Sequence, residues 1–498
     1  MVECGAIPKP MIEAEKSRNN LPFSQAVAYG SGNVAGSLLG WTMAVLLPVF
    51  NLALGVNPAL VGVASSLPRL VDLFTDPLAG YLSDSLRRRF RRGFFIAAGS
   101  VFGGLFYALL WLFPMGLSPN GYFAWILVIT SGALIGWSFV SVPLQALAFE
   151  MTEDGNERTR LMAYSTVMGN GALMIGGWAY VAAQSRIFGN TVSGVHFVGG
   201  AIALVIVIFG LISASRCKGS PAVEEALRAS AGGARSPGLR DFLSAAKRVG
   251  RSRPFMLLTG AIAMICLGCF GAFSATGLDP YIMIFYVKSG DQVQGMILAA
   301  GCVTANSVAA LVGASTVPWV ARRTGRKKAL LVFLGVALAG SALKWVCYNQ
   351  TVPWLALIPN IAFGFGMTAL WVLIPSMTAD ISDLDELLFG TQDAGMYSAF
   401  YMWTVKVSTS LVTIVSGSLL VLIGFNVALG PTQSHHTLFL MRIFGAVLPM
   451  LALAGGMALI SRYPIKDAQM ATVHEALRKR RALAADSPVS PTVSGVQS

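Results

Sequence analysis

The chain has 498 residues, of which 55% are apolar and only 12% are charged, and it contains 53 glycines. This balance excludes an ordinary soluble globular protein and is typical of a membrane protein with many spans. The formal net charge of +13 does not indicate a nucleic-acid partner, because the basic residues lie mainly in loops between long apolar runs.

Twelve apolar runs follow one another along the chain. Each holds roughly 20 or more apolar residues, enough to cross about 30 Å of hydrocarbon. The runs are continuous rather than alternating, so they predict helices and an all-α membrane protein. The predicted spans are 24–51, 58–83, 93–115, 121–150, 160–184, 195–215, 254–288, 292–320, 328–349, 352–379, 393–425 and 438–461.

Lysine and arginine are distributed very unevenly between the two sets of loops. Of the 36 basic residues, 30 lie in the terminal segments and in the loops on one side, whereas the opposite loops contain only Arg186 and Lys288. The positive-inside rule therefore predicts that both termini are cytoplasmic and that the number of spans is even. We expect a multi-pass integral protein of a bacterial inner membrane.

A polar stretch divides the spans into two sets of six. Basic runs follow span 2, at Arg87–Arg92, and span 8, at Arg322–Lys328, which are matching places in the two sets. Two six-helix halves with basic loops at these places resemble the major facilitator superfamily. The predicted organisation is a first half at 1–215, a cytoplasmic linker at 216–253, a second half at 254–462 and a cytoplasmic tail at 463–498.

Two aspartates, Asp72 and Asp76, lie inside the second apolar run. A spacing of four residues places both on one helix face, which they share with Arg69. Carboxylates within a membrane span cost at least a few kcal/mol each and usually mark a functional site. They can bind Na⁺ through oxygen ligands, or one of them can hold a proton. The alternative is a static ion pair with Arg69.

Lys406 is a single basic residue near the middle of the eleventh run. Because an unpaired ammonium in lipid is costly, the side chain should face the interior and find a carboxylate. Asp72 or Asp76 is the expected partner. The alternative is that the long side chain extends to the membrane surface.

Four segments resemble one family in the right order along the chain. Leu67–Gly80 resembles the helix II signature of the glycoside–pentoside–hexuronide:cation symporters, the melibiose permease family, and Ile374–Asp383 resembles their 10–11 loop. Gly395–Tyr397 with Lys406 resembles their helix XI, and Tyr463–Ile465 their C-terminal end. The resemblance implies a major facilitator fold, a cation site at Asp72 and Asp76, and a position for Lys406 near that site.

The chain departs from the family's sugar-binding members. They have an aspartate on helix I, where this chain has none between Gly32 and Ser37, and an acid in helix IV, where this chain has Ser141. Arg69, Lys406, Ser138 and Ser141 are candidates for supporting the cation site. The candidate substrate contacts are Asn33, Ser37, Gln145, Thr166, Trp371 and Trp403. The alternative for each of them is a role in helix packing.

Acidic residues cluster in the predicted 10–11 loop, whereas the other loops on that side are basic. We expect Asp380 and Asp383 to pair with one of the basic clusters and, together with Asp84, Arg87 and Arg88, to form a cytoplasmic gate. The alternative is a solvated charge run that contributes little.

These observations predict a secondary transporter that couples Na⁺ or H⁺ to the symport of a small organic solute, a sugar or glycoside, by alternating access. The alternatives are a symporter of a lysolipid-like solute and a membrane sensor that does not transport. The sequence shows no nucleophile–base pattern, phosphate loop or metal cluster, so we expect no enzyme activity, no cofactor and no metal site beyond Na⁺ at Asp72 and Asp76. The expected partners are the solute, a monovalent cation and membrane lipid, without nucleic acid, and the expected state is a monomer.

Overall fold

The computed structural model describes residues 22–477, except for 87–88, 152–154, 218–246, 248, 274–277, 390–393, 466, 468, 471 and 474. Within these residues the chain forms twelve α-helices of 20 residues or more and no strand. The prediction of an all-α protein is therefore confirmed. The helices are α1 Phe23–Pro48, α2 Pro58–Ser85, α3 Arg92–Trp111, α4 Pro119–Met151, α5 Gly155–Ala183, α6 Thr191–Arg216, α7 Arg253–Phe273, α8 Gln292–Thr324, α9 Arg326–Cys347, α10 Leu357–Phe389, α11 Ala394–Leu422 and α12 His435–Ser461.

Eight of the described helices are long and apolar enough to cross a membrane: α3, α4, α6 and α8–α12. The apolar part of α7 is shorter, and α2 carries Arg69, Asp72 and Asp76. The protein is therefore a multi-pass membrane protein, while the number of twelve spans stays a prediction.

Helix pairing in the first half is repeated in the second. In the first half α1 packs against α5 and α6, α3 packs against α4 and α6, and α2 packs against α4. The second half contains the same pairs shifted by six: α7 with α11 and α12, α9 with α10 and α12, and α8 with α10. The predicted pair of pseudo-symmetric bundles is confirmed.

Side chains at the start of several helices accept hydrogen bonds from backbone amides of the first helical turn. The side-chain oxygens of Asn190, Asp291 and Ser434 accept hydrogen bonds from the amides of Ser193, Gln294 and Thr437, respectively. Such N-caps fix where a helix starts. They set the starting points of α6, α8 and α12.

The two halves meet along α2 with α11 and along α5 with α8, two contacts that the pseudo-symmetry exchanges. Glycine allows the first contact to be close, since a Cβ atom on Gly62 would lie 2.9 Å from the carbonyl oxygen of Thr413 and 3.2 Å from Cα of Gly417. In the second contact, Nε1 of Trp178 donates to Oγ1 of Thr304 at 3.0 Å.

Among the described residues, an apolar core shared by both halves is found at one end of the bundle. We name the end where α8 turns into α9, near Arg322–Lys328, the basic end, and the opposite end, near residues 288–291, the far end. At the far end one core contains Phe50 and Tyr180 of the first half together with Tyr281 of the second half. Towards the basic end, the described residues of each half form a core of their own.

Alanine at Gly62 should destabilise the contact between the halves. The substitution gains about 1 kcal/mol of helix propensity, but the added Cβ pushes α2 and α11 apart at a cost of about 1–3 kcal/mol. The matched control is Gly171→Ala on α5, where a Cβ has no neighbour within 4 Å. In thermal unfolding of the detergent-purified protein, we expect a lower midpoint for Gly62→Ala than for Gly171→Ala. Equal midpoints would show that the glycine is not needed for the contact.

Candidate functional site

Three helices bring charged and polar side chains together between the halves. Because α2 packs against α4 in its own half and against α11 in the other half, Asp72 and Asp76 of α2 lie near Ser138 of α4 and Lys406 of α11. The residues come from distant parts of the chain. Only the fold places them in one site.

Asp76 lies at the centre of this cluster. Its Oδ2 accepts a hydrogen bond from Nζ of Lys406, and its Oδ1 accepts one from Oγ of Ser138 at 2.6 Å. Ser138 is also 3.0 Å from Oγ1 of Thr75. One carboxylate thus connects the second half, through the ammonium, with two helices of the first half.

Asp72 is more deeply buried than Asp76. Its side chain is 7% exposed, compared with 31% for Asp76. Its Oδ2 lies 3.9 Å from Nζ of Lys406, and its Oδ1 is buried without a hydrogen-bond partner among the described residues. A buried carboxylate oxygen without a partner is unfavourable, so this atom suits a cation or a proton.

Arg69 shares the helix with the two aspartates but not their contacts. Within the described residues no ion pair joins it to Asp72, and its Nε is buried without a hydrogen-bond partner. The contacts of Asp76 are made by Lys406 and Ser138 instead.

A cavity of about 580 Å³ lies beside the cluster. Asp72 and Asp76 and the ammonium of Lys406 supply its charged part, and α11 supplies an apolar and aromatic wall that includes Phe400 and Trp403. A concave, mainly apolar space with a few polar groups at one side is typical of a small-molecule site. The volume is sufficient for a small organic solute next to the carboxylates.

Of the predicted substrate contacts, Trp403 lines this cavity and is half exposed. Asn33 instead donates from Nδ2 to the carbonyl oxygen of Ser165 at 2.8 Å, a bond that joins α1 to α5. Ser37 faces the same helix, near Gly169. These two side chains serve the packing of the first half.

Among the described residues, the remaining candidates make no hydrogen bond with Asp72, Asp76 or Lys406. Thr166 donates to the carbonyl oxygen of Met162 in its own helix at 2.8 Å, and Gln145 is exposed on α4. Trp371 of α10 is 41% exposed. Ser141 is half-buried on α4, where its neighbour Val142 is the residue that lines the cavity.

The predicted gate residues are only partly brought together. An oxygen of Asp380 lies 2.6 Å from a guanidinium nitrogen of Arg326, which also contacts Asp467 at 2.8 Å. These contacts tie α9, α10 and the segment after α12 within the second half. The acidic stretch that includes Asp380 and the half-buried Asp383 is not a loop as predicted, because α10 continues to Phe389. The side chain of Asp84, together with Arg87 and Arg88, lies outside the described residues.

Sequence reasoning missed a buried ion pair at the basic end of the first half. Nε of Arg92 donates to Oε1 of Glu150 at 2.7 Å, and its NH1 donates to Oγ of Ser83 at 3.0 Å. Arg92 begins α3 as Arg326 begins α9, and Glu150 lies on α4 as Asp380 lies on α10. Matching α1–α6 of the first half with α7–α12 of the second half gives this correspondence.

Comparison with known proteins identifies the family. Residues 28–467 match the sequence profile of the family described as MFS/sugar transport protein. The chain belongs to this family. The resemblance to the glycoside and cation symporters is confirmed, and the protein is a transporter rather than an enzyme.

Relatives and solved structures extend over nearly the full chain. The chain is 26% identical to the glucuronide carrier protein homolog of Escherichia coli strain K12, covering 90% of this chain and 93% of that protein. It is 23% identical to the putative glycoside/cation symporter YagG of the same organism, covering 93% and 96%. The fold is similar to that of the nucleoside transporter NupG, with a TM-score of 0.60, 14% identity and coverage of 88% of this chain and 100% of that chain.

Alanine at Ser138 should weaken the cluster. The variant loses the hydrogen bond to Asp76, and since that carboxylate is about a third exposed we expect a loss of about 1 kcal/mol in stability. Ser141→Ala, one helical turn further along α4, is the matched control and should change stability by less than about 0.5 kcal/mol. Thermal unfolding in detergent measures both. Equal effects of the two substitutions would contradict a role for Ser138 in holding Asp76.

Proposed function

We propose that the protein is a secondary active transporter in which Na⁺ or H⁺ drives the symport of a sugar or glycoside by alternating access. The observation that supports this most directly is the ion pair between Lys406 and Asp76, which joins the two halves beside a cavity. Movement of the halves must therefore be linked to the charge state of this cluster.

The charge balance explains how a cation can control that movement. Asp72 and Asp76 together have one more negative charge than Lys406 neutralises. A Na⁺ ion or proton bound at the carboxylates competes with the ammonium of Lys406 for Asp76. With its ion pair weakened, α11 is freer to move relative to α2, and the loaded transporter changes state.

The substrate class is supported by the relatives and by the cavity. Relatives are named as a glucuronide carrier protein homolog, a putative glycoside/cation symporter and an isoprimeverose transporter. Trp403 offers a flat apolar surface next to the charged part of the cavity. A sugar ring can stack its C–H face on this indole while its hydroxyl groups reach the carboxylates.

Orientation follows from the charge bias. If the basic end is cytoplasmic, as the positive-inside rule requires, the separated cores at that end describe an inward-facing state. We also propose a bacterial inner membrane, a monomeric protein, and the division into halves at 1–215 and 254–462 with a linker and a cytoplasmic tail.

The coupling ion can be tested without knowing the substrate. We expect Na⁺, or in the case of proton coupling a change of pH, to raise the midpoint of thermal unfolding of the wild type. We expect no such rise for the Asp76→Asn variant. A ligand that binds only the folded state stabilises it by about 2.7 kcal/mol at 100 times its Kd. Thermal unfolding of the detergent-purified protein, with choline chloride replacing NaCl at constant ionic strength, measures the effect.

The control variant is Asp291→Asn, which removes a carboxylate at the far end while asparagine preserves the cap of α8. This variant should respond as the wild type does. A response to Na⁺ alone assigns sodium coupling, and a response to pH alone assigns proton coupling. An equal response in the wild type and in Asp76→Asn would show that Asp76 is not part of the cation site.

We further propose that Asp383 contributes to closure of the basic end. Asp383→Lys should favour the state that is open at this end, because the reversed charge repels the basic clusters. The measurement is thiol labelling of Met396→Cys, at the cavity wall, in a cysteine-free background. Thr472→Lys, which adds a positive charge at an exposed position, is the control. Unchanged labelling of the Asp383→Lys protein would exclude this role.

A further inference from the structure

A second acid–lysine pair lies in the second half, away from the candidate cation site. Nζ of Lys344 donates to both oxygens of Asp279, at 2.8 and 2.9 Å. The hydroxyl of Tyr348 donates to Oδ2 of Asp279 at 3.1 Å, and Nδ2 of Asn360 donates to that hydroxyl at 3.2 Å. The side chain of Lys344 is 2% exposed and that of Asp279 is 10% exposed.

This pair differs from the cluster at Asp76 because its polar atoms are satisfied by neighbours. Both oxygens of Asp279 have donors, and Lys344 has a bidentate carboxylate. Neither residue lines the 580 Å³ cavity. A buried pair of this kind contributes little net stability compared with apolar residues, but breaking one side of it costs about 3–5 kcal/mol. Its effect is to fix the position of whatever segment carries it.

The segment that carries Asp279 is irregular. We name residues 278–288 the far-end strap. It begins with one α-helical turn, Asp279–Tyr281, continues as a π-helical turn, Ile282–Val287, and ends before Ser289 and Gly290, which both have positive φ angles, of 53° and 94°. Asp279 attaches its first turn to α9 through Lys344.

A second attachment holds the other end of the strap to the same half. The guanidinium of Arg442 lies over the ring of Tyr286 at 4.3 Å and over that of Trp345 at 4.5 Å. Nε2 of Gln350 donates to the carbonyl oxygen of Tyr286 at 2.9 Å. The strap is thus attached to α9 at its first end and to α12 at its second end.

Between these attachments the strap contacts the first half. Tyr281 is fully buried, and its hydroxyl donates to Oδ1 of Asn51 at 3.0 Å. Asn51 is also fully buried and lies in another π-helical turn, Val49–Ala53, which follows α1. The π turn after α1 and the α-helical turn at the start of the strap therefore meet between the two halves at the far end.

We propose that Asp279 and Lys344 are positioning residues of a far-end gate: they hold the strap so that Tyr281 seals the contact with Asn51. The inference rests on the proposed alternating access, since a gate must open. When the far end opens, the Tyr281–Asn51 bond breaks, and the strap moves with the second half because its attachments to α9 and α12 remain. The acid–lysine pair then sets how tightly the far end closes, while the cluster at Asp76 senses the cation.

The experiment measures the distance across the far end in the full-length protein by pulsed electron paramagnetic resonance. Nitroxide labels are attached to cysteines at Ile187 in the first half and Leu429 in the second, in a cysteine-free background. Both positions are exposed, 88% and 46%, and lie in turns at the far end. The variants are Asp279→Asn with Lys344→Met, which leaves no buried unpaired charge, and Tyr281→Phe, which removes only the bond to Asn51.

We expect one main distance in the wild type and a several-fold larger population of a longer distance in both variants. The control is Arg92→Met with Glu150→Gln, which neutralises a buried pair within the first half at the basic end and should leave the distance unchanged. A wild-type distribution for Asp279→Asn with Lys344→Met would overturn the proposal, and so would an equal lengthening in the control.

If the double variant does not purify as a monodisperse protein, Tyr348→Phe replaces it. This substitution removes one hydrogen bond to Asp279 and leaves the ion pair in place, so a smaller rise in the longer distance supports the proposal and no rise contradicts it. The measurement needs neither cation nor substrate. Failure of the proposed coupling would appear in the Na⁺ and pH experiment and not in these distances.

Discussion

The structure depends on one constraint, the cost of placing charge inside an apolar helix bundle. Lys406 and Asp76 reduce that cost by forming an ion pair, although they belong to different halves and are 330 residues apart in the chain. Each charge costs less while the other is near. Under the proposed mechanism, the position of α11 relative to α2 consequently depends on the ionic state of the cluster.

Paired charges occur at three levels along the bundle, and their burial differs. At the basic end, Arg92 with Glu150 and Arg326 with Asp380 tie helices within each half. At the far end, Asp279 with Lys344 fixes a strap within the second half. Only the cluster in the middle both crosses between the halves and keeps a carboxylate oxygen without a partner among the described residues. This difference separates the groups that hold the fold from those that can respond to an ion.

The local sequence pattern was sufficient to predict the helices and the two aspartates at the centre of the candidate site. The apolar runs predicted the helices, and the four-residue spacing of Asp72 and Asp76 predicted a shared face. The contacts of Asn33 with Ser165 and of Arg92 with Glu150 depend on helix packing, which one sequence does not specify. The polarity of the acidic stretch at Asp380 predicts a loop, but α10 continues through it. The end of α10 is stabilised by Arg326 and by apolar neighbours in the segment after α12.

The shared aromatic core at the far end also has a thermodynamic consequence. In the proposed outward state, Phe50, Tyr281 and Phe425 become exposed to water, whereas the closed basic end brings together helix ends rich in charge. Exposure of apolar surface raises the heat capacity. The two orientations of the transporter therefore differ in heat capacity, so the free-energy difference between them is a curved function of temperature. Under the proposed alternating access, the balance between inward and outward states therefore depends on temperature as well as on the coupling ion.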